Sequence, residues 1–435
     1  MIEKYYSGVI EQIYNRIGKE TRNIVMANYS NDFSIENLEV IRRYQSNEDN
    51  VFFAYSEFSY NTLVGAYEPF LDIICNMHRR FIGGSFDDFQ KECGVYYLHR
   101  QVLNSYYETG ECFREETVLL NEVAYEQRRM TMAIADMLKK LSEVKPLMIV
   151  INRFQMASKS SIETIKYLID NPCANIGIVL GVNAIVKGTD STVEVWDRIV
   201  ESLEDRSAIY YIGSAGPLKN NVKTTNDDEL YITMNFEQSI QEASNIMEFL
   251  DFEQARRGCR IIEHKLKFED AWIDEKSLRR FYMVYARTSV LLGEMSKAIE
   301  LTNEYKALIP ENDSEHYLSL YYFMKGTCYM YQGKLEKAGN SAKSAYDYAV
   351  LAEDDTLIFK AELLSVMIKM SGWYNIFFCV QDIPVSDEII EKLIKHGYRN
   401  HLAHIYIYAY DNSRDVVKQS FYDESSVSYT HLRAH

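Results

Sequence analysis

LLGEMSKAIEL (291–301) and YQGKLEKAGNS (331–341) are two copies of one pattern. In each, a glycine (Gly293 or Gly333) is followed five residues later by an alanine, Ala298 or Ala338, and preceded seven residues earlier by a small residue, Ala286 or Gly326. A glycine at such a point ends one helix and starts a turn, and small residues at fixed offsets on either side let the two flanking helices approach closely. The register holds over a whole hairpin. The stretch from about Met247 to Cys379 therefore reads as a stack of helical hairpins with a period of about 40 residues.

Working outward, LDFEQARRGCRIIEHKL (250–266) carries Ala255 at the equivalent small position, and SGWYNIFFC (371–379) carries Gly372 at the turn. Tyr282, Tyr322, Tyr329 and Pro310 occupy aromatic and terminating places. The pattern resembles tetratricopeptide repeats, with helices or connections longer than the roughly 34-residue standard. That resemblance implies an all-α tetratricopeptide-like helical-hairpin solenoid over residues 236–424, whose concave groove takes a protein, a peptide or another domain of the same chain. Tyr282, Tyr285, Tyr321, Tyr322 and Tyr329 are the candidate groove contacts, although the same spacing makes them partly core. An ordinary helical bundle with coincident small residues is the alternative.

Residues 23–235 carry a different signal. NIVMA (23–27), VFFAY (51–55), LMIVI (147–151), IGIVLGV (176–182) and AIYYIG (208–213) are short apolar runs separated by helical patterns. Such runs predict buried parallel strands in a doubly wound α/β sheet. An amphipathic helix over 1–22 precedes them. Residues 85–141 read as an amphipathic helical insertion with solvated charges and no site.

Within this domain PLMIVINRFQMASKSSIETIKYLI (146–169) resembles the second-strand motif of the STAND family, signal-transduction ATPases related to AAA proteins. In that motif an apolar run ends in two acidic residues, then Gln, and a helix opens after a Ser. Gln155 and Ser161 keep their places, whereas Asn152 and Arg153 replace the acidic pair. The resemblance also implies a phosphate loop after the first strand, where NYSNDFSIENL (28–38) stands. A working loop needs glycines, a lysine and a magnesium-binding hydroxyl. Aligned without gaps, Asn28, Asn31 and Phe33 fall at the glycines, Ser34 at the lysine and Ile35 at the magnesium ligand. Asn183 stands where a strand usually ends in a phosphate-sensing arginine. The implied domain is a P-loop-like sheet that lacks the chemistry of hydrolysis, with no catalytic residue and no cofactor. An unorthodox nucleotide-binding or hydrolysing ATPase drawing on Lys19 or Asp32 is the alternative, but Lys19 precedes the first strand and so falls on the wrong side of the sheet.

The net charge of −16 opposes direct nucleic-acid binding by this segment, since phosphate contact needs a basic face. Seven cysteines without a C-x-x-C pair suit free thiols in a reducing, cytoplasmic setting, and no apolar run suits a membrane span. His396, His401 and His404 share a helical segment without the carboxylate of a zinc-hydrolase motif, so no metal site is expected. Gly83-Gly84 followed by SFDDF reads as a loop and helix cap. Residues 425–435, ending VSYTHLRAH, continue no helical period and read as a non-native tail, so that the natural protein continues past about residue 426. Together the two resemblances imply the regulatory, non-catalytic portion of a multidomain signalling protein, acting on a partner protein or peptide or on an intramolecular output domain.

Overall fold

A computed structural model describes residues 2–29, 38–46, 50–59, 63–114, 118, 120–183, 198–205, 209–212, 235–268, 273–312, 314–374, 387–399, 401–402 and 405. The chain divides into two compact units, Met1–Ile273 and Asp274–His435.

The first unit is built on five strands, β1 (Ile24–Tyr29), β2 (Phe52–Glu57), β3 (Leu147–Asn152), β4 (Ile176–Asn183) and β5 (Ile209–Ile212). All pairings are parallel and the order is β2-β3-β4-β1-β5. Every residue of β3 is buried, as a strand covered on both faces requires. Each apolar run named above thus forms a strand, with ends moved by one or two residues. The helices are α1 (Ile2–Arg16), α2 (Glu39–Ser46), α3 (Phe70–Met77), α4 (Phe86–Glu92), α5 (Tyr97–Thr109), α6 (Val123–Val144), α7 (Lys159–Asp170), α8 (198–204), α9 (Phe236–Glu248) and α10 (Phe252–Phe268).

Helix α1 lies on the sheet through Tyr6, Ile10 and Ile13, all fully buried. Two glycines of β4, four residues apart and so on one face, make room for it. A Cβ on Gly177 would sit 2.8 Å from Ile17 Cδ1, and one on Gly181 would strike the Tyr6 hydroxyl. The glycines bring the helix closer than any side chain would allow.

Most of the described residues of 85–141 are helical, in α4, α5 and α6, and Ser85 caps α4 by accepting from Asp88 N–H at 3.2 Å. Their charges are not all solvated. Glu126, His99 and Arg114 are buried: His99 of α5 meets Glu126 of α6, and Arg114, between these helices, donates to Glu248 O of α9.

Helices α9 and α10 belong to the first unit, although spacing places them in the repeat region that starts at 236. Asn245 Oδ1 accepts from Cys112 N–H at 2.9 Å, Asp251 Oδ2 accepts from Ser160 N–H at 2.9 Å, and Gln254 Nε2 donates to Val64 O at 2.9 Å. Gly258 faces Leu63 Cδ2, 2.7 Å from where a Cβ would stand. The gap left by this small residue is filled by a loop of the α/β domain.

The second unit holds α11 (Glu275–Leu291), α12 (Met295–Ala307), α13 (Ser314–Tyr331), α14 (Leu335–Leu351), α15 (Asp355–Tyr374) and α16 (Asp387–His396), each packed on the next from α11 to α16. One turn recurs. Gly293 N–H donates to Val290 O and Glu294 N–H to Ser289 O, and Gly333 and Lys334 make the same pair of bonds to Met330 O and Tyr329 O. This is the Schellman geometry, which needs a left-handed residue, and Gly293 and Gly333 have φ of 78° and 71°. Glu353 holds the same turn before α15 with φ 53°, and Leu250 holds it between α9 and α10 with φ 68°. Neither is a glycine, so a search by glycine spacing misses both.

The small residues do what their spacing implies. Ala298, Ala338, Ala342, Ala345 and Ala349 are fully buried, and a Cβ on Gly326 would lie 3.0 Å from Leu364 Cδ2 and 3.4 Å from Ala338 O. Gly372 departs from expectation: it lies inside the last turn of α15 and not at a hairpin turn. Among the described residues no helix is long and apolar enough to cross a membrane. Residues 406–435, with the 425–435 tail, lie outside the described ones.

Candidate functional site

In an open parallel sheet the ligand crevice lies outside the carboxyl ends of the strands, where the direction of winding reverses. Here the chain leaves β1 in one direction to reach β2, works back through β3 to β4, then passes over β1 to β5. The reversal falls at β1 and β4, and β4 separates β1 from β3. The order differs from the dinucleotide-binding fold, in which β1 lies between β2 and β4, and from the flavodoxin-like fold, in which it lies between β2 and β3.

Buried amides lie at the carboxyl ends of these strands. Asn28 and Asn152 are fully buried and Gln155 is 3% exposed. Asn152 Oδ1 lies 2.8 Å from where a Cβ of Gly181 would stand, the same point at which the Tyr6 hydroxyl presses. Asn28, aligned above with the first loop glycine, is a strand residue paired with Val182, since β1 runs on to Tyr29. Asn31, Phe33, Ser34 and Ile35, with Asp32, lie outside the described residues. Asn183 ends β4 in register with Tyr29, but its side chain also lies outside them.

Arg153 takes a left-handed conformation, φ 55°, directly after β3. Its guanidinium lies 3.0 Å from Glu57 Oε1, at the end of β2, and donates to Phe58 O at 3.4 Å. A carboxylate at the carboxyl edge is thus engaged by the arginine that stands where the second acid of the motif would be. Ser158 Oγ caps α7 by accepting from Ser161 N–H, and Ser161 Oγ donates to Glu68 O at 2.7 Å. The serine of the motif is used to dock the helix. Lys19 stands at the opposite edge, beside Gly18, whose N–H donates to Ala174 O at 2.8 Å just before β4 begins.

A pair that sequence reasoning missed lies in the 85–141 insertion. His99 Nε2 is 3.0 Å from Glu126 Oε2, both fully buried. Burial lowers the His99 pKa against the pull of Glu126, while Glu126 is held below the usual carboxylate range, despite its burial, by His99 and Arg129. The Arg129 guanidinium sits 3.7 Å from the centre of the Tyr96 ring. No sequence signal marks these residues, because i,i+3 and i,i+4 charges are also what a solvated helix shows. Burial pushes the Cys75, Cys93 and Cys328 thiols up to about 12, which makes these three poor nucleophiles.

In the second unit Tyr285 and Tyr321 are core residues, 3% and 2% exposed, while Tyr282, Tyr322 and Tyr329 are half-buried and keep accessible surface. Lys306 and Lys325 stand 5.2 and 5.1 Å from the centre of the Tyr321 ring, and Lys325 Nζ donates to its hydroxyl at 2.8 Å. Tyr322 stacks on Tyr348 at 5.6 Å. His401 is buried beside Tyr398, while His404 and the side chain of His396 lie outside the described residues. Among the described residues no three of His, Cys, Asp or Glu are placed to hold a metal.

No protein family matches the chain, and comparison with curated proteins and with solved structures finds no significant match.

Proposed function

We propose that this chain is the regulatory portion of a signalling protein, in which an α/β unit of the STAND and AAA layout serves as a non-hydrolysing scaffold and a tetratricopeptide-like helical array binds a protein, a peptide or an output domain of the same chain. The observation that carries the first half is the packing of Asn152 and Tyr6 over Gly181 at the carboxyl edge, with Asn28 also buried near the end of β1. Magnesium-assisted phosphoryl transfer needs carboxylate and lysine at that place, and two buried amides and a phenol offer neither charge. The position of β4 between β1 and β3 suits the assignment of 147–155 as the second-strand motif, since both strand ends then open on one crevice. For the second half, the support is the recurrence of one turn geometry and the small residues at the crossings of α13, α14 and α15, with accessible tyrosines left on the surface.

Calorimetric titration of the full chain with ATP and magnesium tests the scaffold reading. The expected result is no saturable heat and no phosphate release at about millimolar nucleotide, a concentration at which a site worth about 4 kcal/mol would register. Micromolar binding with turnover that Ser34→Ala or Asn152→Ala abolishes would favour the unorthodox ATPase instead.

A further inference from the structure

Segment 63–69, α3, α5 and α9 enclose a cavity of about 360 Å³ in the first unit, and three of its lining residues are the carboxylates Glu68, Asp72 and Glu242. Two of them converge: the point where a Gly65 Cβ would stand is 2.9 Å from Glu242 Oε1 and 3.4 Å from Glu68 Oε2. Only the absence of a side chain at Gly65 admits both.

The three are unequally served. Gly65 N–H donates to Glu68 Oε2 at 2.9 Å, and the Tyr106 hydroxyl donates to Asp72 Oδ1 at 3.0 Å. Glu242 has neither a hydrogen bond nor an ion pair among the described residues. Facing it are Glu68 from the loop, Asp72 from α3, Tyr106 from α5, and Cys112 beyond α5. No cation lines the cavity among the described residues. Arg114, close in sequence to Cys112, is engaged by Glu248, donating to its carbonyl at 2.7 Å with its Nε 3.7 Å from the carboxylate.

We propose that Glu242 is a proton-operated latch that holds α9 against segment 63–69. Protonated, its carboxyl adds no charge to the cavity and can donate to the Glu68 carboxylate. Ionised, it becomes a third like charge in a cavity without a cation, and α9 loosens. Burial, then the charges of Glu68 and Asp72, pushes Glu242 up to about 7, and burial raises Glu68 as well despite the Gly65 N–H. A carboxyl raised in the folded state reverses the usual acid behaviour. The hold is complete below the unfolded value of about 4.3 and is lost as pH rises through the folded value near 7.

Hydrogen exchange of residues 236–248, followed by mass spectrometry in the full chain and corrected for intrinsic rates, reads the latch. Between about pH 5.5 and about pH 8.5 the opening constant of α9 is expected to rise tenfold or more, since each titrating pH unit can contribute up to about tenfold. In Glu242→Gln that rise should shrink to less than about threefold, with protection at the higher pH above that of the unaltered protein. Glu68→Gln should flatten the profile in the same way and serves if Glu242→Gln does not fold. Retention of the full pH dependence in either variant overturns the latch. So does an equal loss of protection at both pH values, the mark of a residue that only packs.

Discussion

Gly326→Leu is expected to destabilise the helical unit by about 3 kcal/mol, the upper range for overpacking a close-packed interior. The site has no slack. Even a Cβ meets Leu364 Cδ2 at 3.0 Å, Ala338 O at 3.4 Å and Ser341 Cβ at 3.4 Å. The backbone oxygen cannot move without disturbing α14, and Leu364 belongs to a buried cluster with Met330, Ala342 and Ile368. Four added carbons would force α13 away from α14 and α15. Gly339→Ala is the control, because Gly339 lies within α14 with nothing within 4 Å of its Cβ position. There the helix should gain about 1 kcal/mol from the better helix former. Urea denaturation of both variants, followed by hydrogen exchange of residues 275–374, separates the effects. A neutral Gly326→Leu would mean that the small residue is incidental and the hairpin crossings are loose.

Asn152→Asp carries the second large effect, and it tests whether restoring one residue of a phosphate-site motif restores the site. Asn152 is fully buried beside Gly181 and Tyr6. Among the described residues no cation is placed to serve a carboxylate of the same shape: Arg153 is engaged by Glu57 at 3.0 Å, and Lys19 lies at the other edge of the sheet. The new carboxyl should have a raised folded pKa, so the penalty is absent below the unfolded value near 3.9 and grows as pH rises. A loss of about 3 kcal/mol at pH 7, shrinking to under about 1 kcal/mol near pH 4, is the expected outcome. Unfolding curves of the variant and the unaltered protein at the two pH values measure it. Full stability at pH 7, or stabilisation by magnesium and ATP, would show that the crevice can accept a charge and that its chemistry is closer to intact than proposed.

How much of this the sequence foretells differs between the two units. In the first, LMIVI and IGIVLGV are strands because five or more consecutive apolar, mostly β-branched residues suit a surface buried on both faces. Composition could not indicate that β1 inserts between β4 and β5, since register and order follow from which crossover helices cover which face. The side chains at the crevice were identifiable by position, Asn152 and Gln155 above all. That Tyr6 plugs the same spot is a contact across 175 residues, and no local pattern encodes it.

In the second unit Gly293 and Gly333 announce their turns because a left-handed residue is cheapest as glycine. Leu250 and Glu353 form the same turn through packing and hydrogen bonds that override the local cost, and so escape a search by residue type. The helical hairpins of the second unit, and the parallel strands before them, are local consequences of periodicity and small-residue spacing, and they stand on sequence alone. Where α9 and α10 belong was decided by the tertiary structure. Their apolar and small faces suit a hairpin stack equally well, and residues brought from distant parts of the chain, among them Leu63, Val64, Cys112, Arg114 and Ser160, hold them on the α/β unit. The carboxylates of the Glu242 cavity were settled in the same way, since the cost of gathering like charges is met by burial energy that no single segment contains.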